Sequence, residues 1–296
     1  MSQIANKFPG KDVSPEDLLE KFPLVAKKNE QHQSKFSIKG IEFGGDLVPI
    51  FAGPNMVESE SLIDDIAKNV KRHGAHFLRG GAFKPLSFPY RSAKYNETRH
   101  DGLAWMVNAG KAHNIPIITE VMDQRLIDLV AQSTDIIQIG SRNMQNYPFL
   151  TECAQTQKPI MLKRHYGASL RDWLGAAEYI MVEGNNKVIL CERGVSIPHT
   201  HRATSRFSLD LQVVPAAKEL THLPVITDPS HATFWNPWVK SMSLASVAAG
   251  ADGVMLEVHP DPENAAVDPL QPLNYSDFKD TVLAMQAVAN AIGRRV

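Results

Sequence analysis

The sequence predicts a single (β/α)8 barrel, and three observations carry that expectation. Eight short apolar runs recur along the chain, at 48–52, 75–78, 115–118, 135–139, 159–162, 187–191, 223–227 and 253–256. Eight stretches with helical spacing of apolar residues alternate with them, at about 58–73, 100–113, 123–132, 147–156, 169–183, 208–220, 239–250 and 275–292. The 296 residues are the usual length of one such barrel. Parallel strands buried on both faces should read as unbroken apolar runs rather than alternating ones, and these largely do. A doubly wound open sheet uses the same strand–helix units, but no glycine-rich dinucleotide fingerprint accompanies them here.

The ends of the chain complete the layout. Residues 1–35 are polar, charged and proline-broken, and read as an arm with a short helix starting at Ser14-Pro15-Glu16-Asp17. Residues 36–296 then form the barrel domain. From Ser37 to Asp46, β-prone runs beside the Gly44-Gly45 break predict a hairpin that seals one end of it.

Bulk charge narrows the function. Lys plus Arg total 31 and Asp plus Glu total 32, a formal charge of -1. General nucleic-acid binding needs a broad basic excess, so any cationic cluster must be local. Cys153 and Cys191 lack metal-ligand spacing and read as reduced, small apolar side chains. There is no basic-then-apolar leader, and no apolar run approaches the roughly 18 residues that span a bilayer. The expectation is a cytoplasmic protein without membrane or nucleic-acid partners.

Barrel chemistry sits at the carboxyl ends of the strands. The residues following the eight runs are Asn55, Arg79, Glu120, Arg142, Lys163, Arg193, Asp228 with His231, and Glu257 with His259. Every end carries a polar or charged group, where a purely structural barrel would leave several bland. The run Pro159-Ile-Met-Leu-Lys-Arg164 even ends on two cations. A lone arginine on such a rim more often pairs with a carboxylate. Four cations at one rim (Arg79, Arg142, Lys163 and Arg193) would repel one another without an anion between them. Guanidinium forks suit phosphate and carboxylate oxygens, so the set fits a ligand carrying both. Gly80 and Gly81 allow close backbone approach, with Lys84 beside them. A single histidine after a strand is more often a satisfied group than a ligand, yet His231 with Glu257 and Asp268 makes a plausible divalent-metal set. Trp105, Trp173, Trp235 and Trp238 do not interleave with Lys or Arg, and go to packing or an oligomer interface.

Eight segments, in order, resemble the 3-deoxy-D-arabino-heptulosonate 7-phosphate (DAHP) synthases from about residue 36 to 294. They are Ala52-Gly-Pro-Asn-Met-Val-Glu-Ser59, Leu78-Arg-Gly-Gly-Ala-Phe-Lys-Pro85, Ile118-Thr-Glu-Val-Met-Asp123 and Gln138-Ile-Gly-Ser-Arg-Asn-Met-Gln-Asn146. Met161-Leu-Lys-Arg164, Val188-Ile-Leu-Cys-Glu-Arg-Gly194, Asp228-Pro-Ser-His-Ala-Thr233 and Glu257-Val-His-Pro-Asp-Pro262 complete the set. The short bacterial type is the nearest branch, and its pattern is similar to that of the 3-deoxy-D-manno-octulosonate 8-phosphate (KDO8P) synthases.

The resemblance implies a (β/α)8 transferase that condenses phosphoenolpyruvate (PEP) with a phosphorylated aldose. With erythrose 4-phosphate the product is DAHP, at the entry to the shikimate pathway of aromatic amino acid biosynthesis. Arg79, Lys84, Arg142, Lys163 and Arg193 match the family's PEP-binding cations, and Glu120 a carboxylate near the attacking water. Lys84 would donate the proton to the aldehyde oxygen. His231, Glu257 and Asp268 match three of four metal ligands, for Mn, Co or Zn in metal-dependent members. A homo-oligomer is expected from the relatives.

Three departures qualify these expectations. Asn55 replaces the cysteine that supplies the fourth ligand, so metal binding is expected to be weak or dispensable, with Asn55 and His231 retained as catalytic-site residues. On the aldose-phosphate side, Lys84-Pro85-Leu86-Ser87 lacks the family's arginine at Leu86, leaving Pro85 and Ser87, with Arg91 or Lys94 to compensate. The loop Val195–Thr204 and the pair His165-Tyr166 also differ from the common pattern. All three touch the aldehyde half of the site. Two other readings therefore stay open: a synthase for a different aldose phosphate, and a catalytically silent PEP-binding regulator.

Overall fold

The structure is a computed structural model and describes residues 15–84, 97–198, 201–203, 205 and 207–296. After a helix at Pro15–Lys21, β1 (Phe36–Ile38) and β2 (Ile41–Phe43) form an antiparallel hairpin. Its reversal falls at Lys39 (φ 50°) and Gly40 (φ 81°), the paired positive φ of a two-residue hairpin turn. The expected break at Gly44-Gly45 is therefore not the turn. Gly44 (φ 77°) instead lets the chain pass the Ser34 carbonyl, where a Cβ would come within 1.9 Å.

Six parallel strands follow: β3 (Ile50–Gly53), β4 (Phe77–Arg79), β5 (Ile117–Val121), β6 (Ile136–Ile139), β7 (Ile160–Lys163) and β8 (Val188–Glu192). A short antiparallel pair, β9 (Val195–Ser196) with β10 (Phe207–Ser208), interrupts before β11 (Val225–Thr227) and β12 (Val254–Glu257). β3 to β8, β11 and β12 close into one barrel in chain order. Each of the eight expected strands and helices is present; the helix expected at 208–220 begins only at Val213, its expected start falling on β10, and that expected at 123–132 opens with a 3-10 turn before Ile127. The helices pack outside; Ile63, Ile66, Ala67 and Val70 form the buried stripe of Glu60–Arg72, which Ser59 caps.

Side chains alternate along each strand, and this sets the barrel's two faces. Phe51, Phe77, Ile118, Ile136, Met161, Ile189, Cys191, Ile226 and Met255 fill the interior. Leu78, Ile137, Ile160, Leu162, Val188 and Leu190 face the helices. Ile38 and Phe43 of the hairpin close the base, with Phe43 5.8 Å from Phe77 between ring centres.

Residues 24–27 are fastened to the outside of the barrel by backbone donors. Leu24 N and Val25 N donate to the Glu178 carboxylate at 3.0 and 2.8 Å, and Lys27 N donates to Leu220 O at 2.8 Å. Leu18 and Val25 are fully buried against the barrel's helices.

His76 locks β3 to the approach of β4. Its N–H donates to Ile50 O, while its Nδ1 accepts the Ile50 N–H at 3.1 Å, which requires a neutral ring. Burial, with Lys71 and Arg295 adding, lowers its pKa to about 4. A depressed pKa contributes stability above the unfolded value of 6.5 and loses it as pH falls toward 4. Between pH 7.5 and pH 4 wild type should thus lose up to about 3 kcal/mol of stability that His76→Gln does not lose. Thermal melts across this range check it, and a difference between the two proteins that is independent of pH would contradict this role.

Candidate active site

The alternation that fills the barrel also builds the site, because residues two beyond an interior residue face the same way. Phe77 is thus followed by Arg79, Ile118 by Glu120, Ile136 by Gln138, Met161 by Lys163 and Cys191 by Arg193. All five of these polar residues line one cleft, together with Asn55, Lys84, Arg142 and His231. The four cations expected at one rim share this cleft, and Lys84 joins them. Arg164 does not. One residue further along, it points outward, donating to Glu192 at 3.1 Å, Asp210 at 2.8 Å and the Ala168 carbonyl at 3.0 Å. It anchors the loop after β8 and forms no part of the pocket.

Five cations and one carboxylate, Glu120, line the cleft among the described residues. Arg79, Lys163 and Arg193 are nearly buried, whereas Arg142, on a short turn after β6, is exposed. Nearby groups fix the buried ones. Lys163 Nζ donates to Asp228 at 2.6 Å, and the Arg193 guanidinium lies 4.2 Å from the ring centre of Phe207 on β10. Arg79 reaches Asn55 Oδ1 at 3.3 Å and Glu257 at 3.5 Å. Lys84 Nζ stands 4.0 Å from Glu120, which also accepts from Gln138 at 3.4 Å.

The electrostatics follow from burial and crowding. Burial lowers the Lys84 pKa, Arg79 and Lys163 add to the effect, and Glu120 opposes it. Burial also lowers His231 well below the usual value, with Lys163 and Arg79 adding, so the imidazole is neutral. For Asp228 burial pulls upward, but His231 and Lys163 outweigh it and hold the carboxyl well below its usual range. Burial, reinforced by Asp268, pushes Glu257 up to about 8 against the pull of Arg79. Cys153 and Cys191 are buried and raised, Cys153 to about 12, as inert apolar groups should be.

Among the described residues the expected metal ligands are not gathered into one group. His231 Nε2 is 3.9 Å from Glu257, but Asp268 is tied to Asn55 Nδ2 at 2.8 Å. Among the described residues no three His, Cys, Asp or Glu side chains converge. The Asn55 amide can be oriented only one way: its oxygen accepts from the Arg79 guanidinium and its NH₂ donates to the Asp268 carboxylate. A cation at that corner would face an NH₂ group where the family motif has a thiolate. Of the expected set, Glu257 is thus paired with Arg79 and Asp268 with Asn55, while His231 lies against Asp228.

Pro85, Ser87 and Arg91, expected on the aldose-phosphate side, lie outside the described residues, as do Leu86 and Lys94. Gln138 lines the cleft and was missed, although its place two residues after Ile136 identifies it. Asp228 was recognised on the rim without a role. The unexpected hairpin of β9 and β10 also borders the site, bringing Phe207 to Arg193 and, at 5.3 Å between ring centres, to Tyr166.

A closed parallel barrel with a cationic cleft at the carboxyl ends of its strands is an enzyme scaffold built for a small, multiply charged anion. The chain belongs to the DAHP synthetase I family, whose model matches residues 24–293. It is 35% identical over 295 residues to the phospho-2-dehydro-3-deoxyheptonate aldolase of Thermotoga maritima, covering 99% of this chain and 86% of that one. The 2-dehydro-3-deoxyphosphooctonate aldolase of Koribacter versatilis is 26% identical over 87% of this chain and 96% of its own. The crystal structure of the Thermotoga maritima DAHP synthase superposes with a TM-score of 0.86 at 34% identity, covering 92% of this chain and 78% of that one. A truncated form of that enzyme gives 0.84 at 34% identity, over 93% and 99%.

Gly140 tests how closely the carboxylate is seated. A Cβ there would come 1.9 Å from Glu120 Oε1, the movable end of a side chain. Gly140→Ala should therefore fold with a near-wild-type melting temperature. Turnover should fall by about 10²-fold, because misplacement of about an ångström at a reacting group costs that much. Unchanged turnover would remove Glu120 from the chemistry.

Proposed function

We propose that this enzyme condenses PEP with erythrose 4-phosphate and water to give DAHP and phosphate. The observation that carries the reading is the convergence of Arg79, Lys84, Arg142, Lys163 and Arg193 on one cleft, four of them at separate strand ends. PEP brings a phosphate and a carboxylate, and so neutralises a surplus of positive charge that would otherwise be self-repelling.

In the mechanism, the π pair of PEP forms a bond from its methylene carbon to the aldehyde carbon. The carbonyl pair moves to oxygen, which takes a proton from Lys84. A lowered pKa makes that ammonium a stronger acid than a solvated lysine. Water adds to C2 of the donor and gives its proton to Glu120. The C2–O bond to phosphate then breaks as the hydroxyl proton departs with the phosphate, leaving a ketone. Arg79, Lys163 and Arg193 hold the charge that gathers on the leaving group. Transfer from Glu120 to Lys84, 4.0 Å away, restores both groups.

No step is routed through a metal. We infer that any metal is held weakly or is dispensable, supported by the NH₂ that Asn55 presents to Asp268. We also infer that residues 1–35 are an arm of the barrel domain at 36–296, and that the enzyme is a cytoplasmic homo-oligomer. No helix among the described residues is long and apolar enough to cross a membrane.

Purified protein offered PEP with erythrose 4-phosphate should consume PEP and release phosphate that keeps the bridging oxygen. Arabinose 5-phosphate should be the poorer acceptor. Consumption of PEP with another aldose but none with erythrose 4-phosphate would replace the assigned acceptor. Activity should survive EDTA; loss on chelation and recovery with Mn, Co or Zn would contradict the metal inference. Lys84→Met should lower kcat by about 10²- to 10⁴-fold, the usual contribution of a positioned acid.

A further inference from the structure

We propose that Phe207 is a positioning residue for Arg193: its ring holds the guanidinium that grips PEP without taking up an N–H donor. The proposal rests on the condensing reaction above and assigns a role within that same site.

The cations of the cleft are steadied in two ways. Lys163 and Arg79 are held by oxygens, Lys163 by Asp228 at 2.6 Å and Arg79 by Asn55 at 3.3 Å. Each such contact engages a donor, and a carboxylate also offsets charge. The guanidinium carbon of Arg193 lies over the half-buried Phe207 ring, 4.2 Å from its centre. An aromatic face attracts a cation through its quadrupole and suits the flat side of the fork. Such a contact restrains the guanidinium and uses neither a hydrogen bond nor the positive charge that an anion needs.

Three ties bring Phe207 to this place. Glu192 Oε1, at the end of β8, accepts the Gly194 N–H at 2.6 Å and the Asp210 N–H at 3.4 Å, one on each side of the β9–β10 hairpin. Arg164 joins Glu192 to Asp210 from the outer face, so its outward turn serves the cleft indirectly. Gly194, at φ 98°, lets the hairpin close on the helix Pro229–Thr233. A Cβ there would stand 2.9 Å from Phe207 Cβ and 3.0 Å from Ala232 Cα. Tyr166 backs the ring from the β7 side, 5.3 Å between centres, and its carbonyl accepts the Ser196 N–H at 2.8 Å. The pair His165-Tyr166 and the loop from Val195, which both depart from the family pattern, therefore meet beside a cation assigned to PEP. Both departures thus bear on the donor half of the site.

Conservative variants separate positioning from support of the hairpin. Phe207→Leu keeps apolar bulk and removes the π face; Phe207→Tyr keeps both. Calorimetric titration with PEP alone should show the Leu variant weakened about three- to tenfold and the Tyr variant within about twofold of wild type. Phe207→Met should behave as Phe207→Leu does, and all three should melt near the wild-type temperature. Adding Phe207→Leu to Arg193→Met should weaken PEP binding less than about twofold further, since the ring then has no cation to position. In proton–nitrogen NMR of the unliganded protein, the Arg193 guanidinium signal is identified by its loss in Arg193→Met. The ring current should displace it in wild type and Phe207→Tyr, and it should move toward the solvated position in Phe207→Leu. That readout needs no PEP: failure of wild type to bind PEP would remove the reaction assignment and leave the positioning test standing. Wild-type PEP affinity, or an unmoved Arg193 signal, in Phe207→Leu would overturn the proposal. So would equal weakening in the Leu and Tyr variants, or effects that multiply in the double variant.

Discussion

The site depends on the inward turn of every second side chain along a barrel strand. Apolar residues occupy the inner layer up to Phe77, Ile118, Met161 and Cys191. The next inward position on each strand is the first beyond that layer, and there a charge can stand without being enclosed by hydrocarbon. Arg79, Glu120, Lys163 and Arg193 all occupy it. The packing that closes the barrel below also forms the floor of the cleft, so charges from distant parts of the chain are placed on one rigid frame.

Holding like charges together is costly, and the protein divides the cost. Asp228 takes one contact of Lys163, Glu257 and Asn55 steady Arg79, and Phe207 lies under Arg193. Glu257, pushed up to about 8, balances little of this charge near neutral pH. The surplus left facing the cleft is what an anionic substrate completes. Asn55 contributes in a different way: its amide spans Arg79 and Asp268, tying a cation that faces the donor to the loop after β12. Cysteine could not make both bonds, because it has no second strong polar atom.

Much of this was legible in the sequence because burial on both faces leaves unbroken apolar runs. The same logic explains the misses. Two adjacent cations, Lys163 and Arg164, cannot both face inward on one strand, and the pleat sends Arg164 to Glu192 and Asp210. Gln138 went unnoticed because it is uncharged, although it holds the same position relative to Ile136 as Arg79 does to Phe77. Gly44-Gly45 drew attention from Lys39-Gly40, whose positive φ values make the turn. The β9–β10 pair and the helix Pro229–Thr233 are too short to show a period. The link from Asp228 to Lys163 crosses 65 residues and is visible only in three dimensions.

The central claim is that separate strand ends act together to grip the enol phosphate. Calorimetric titration of PEP into wild type, Arg142→Met, Arg193→Met and the double variant measures it directly, without any aldose. The account predicts that each single change weakens binding about tenfold or more, equivalent to about 1.4 kcal/mol. It also predicts that the double variant binds more weakly than either single one. Wild-type affinity in both single variants would contradict it.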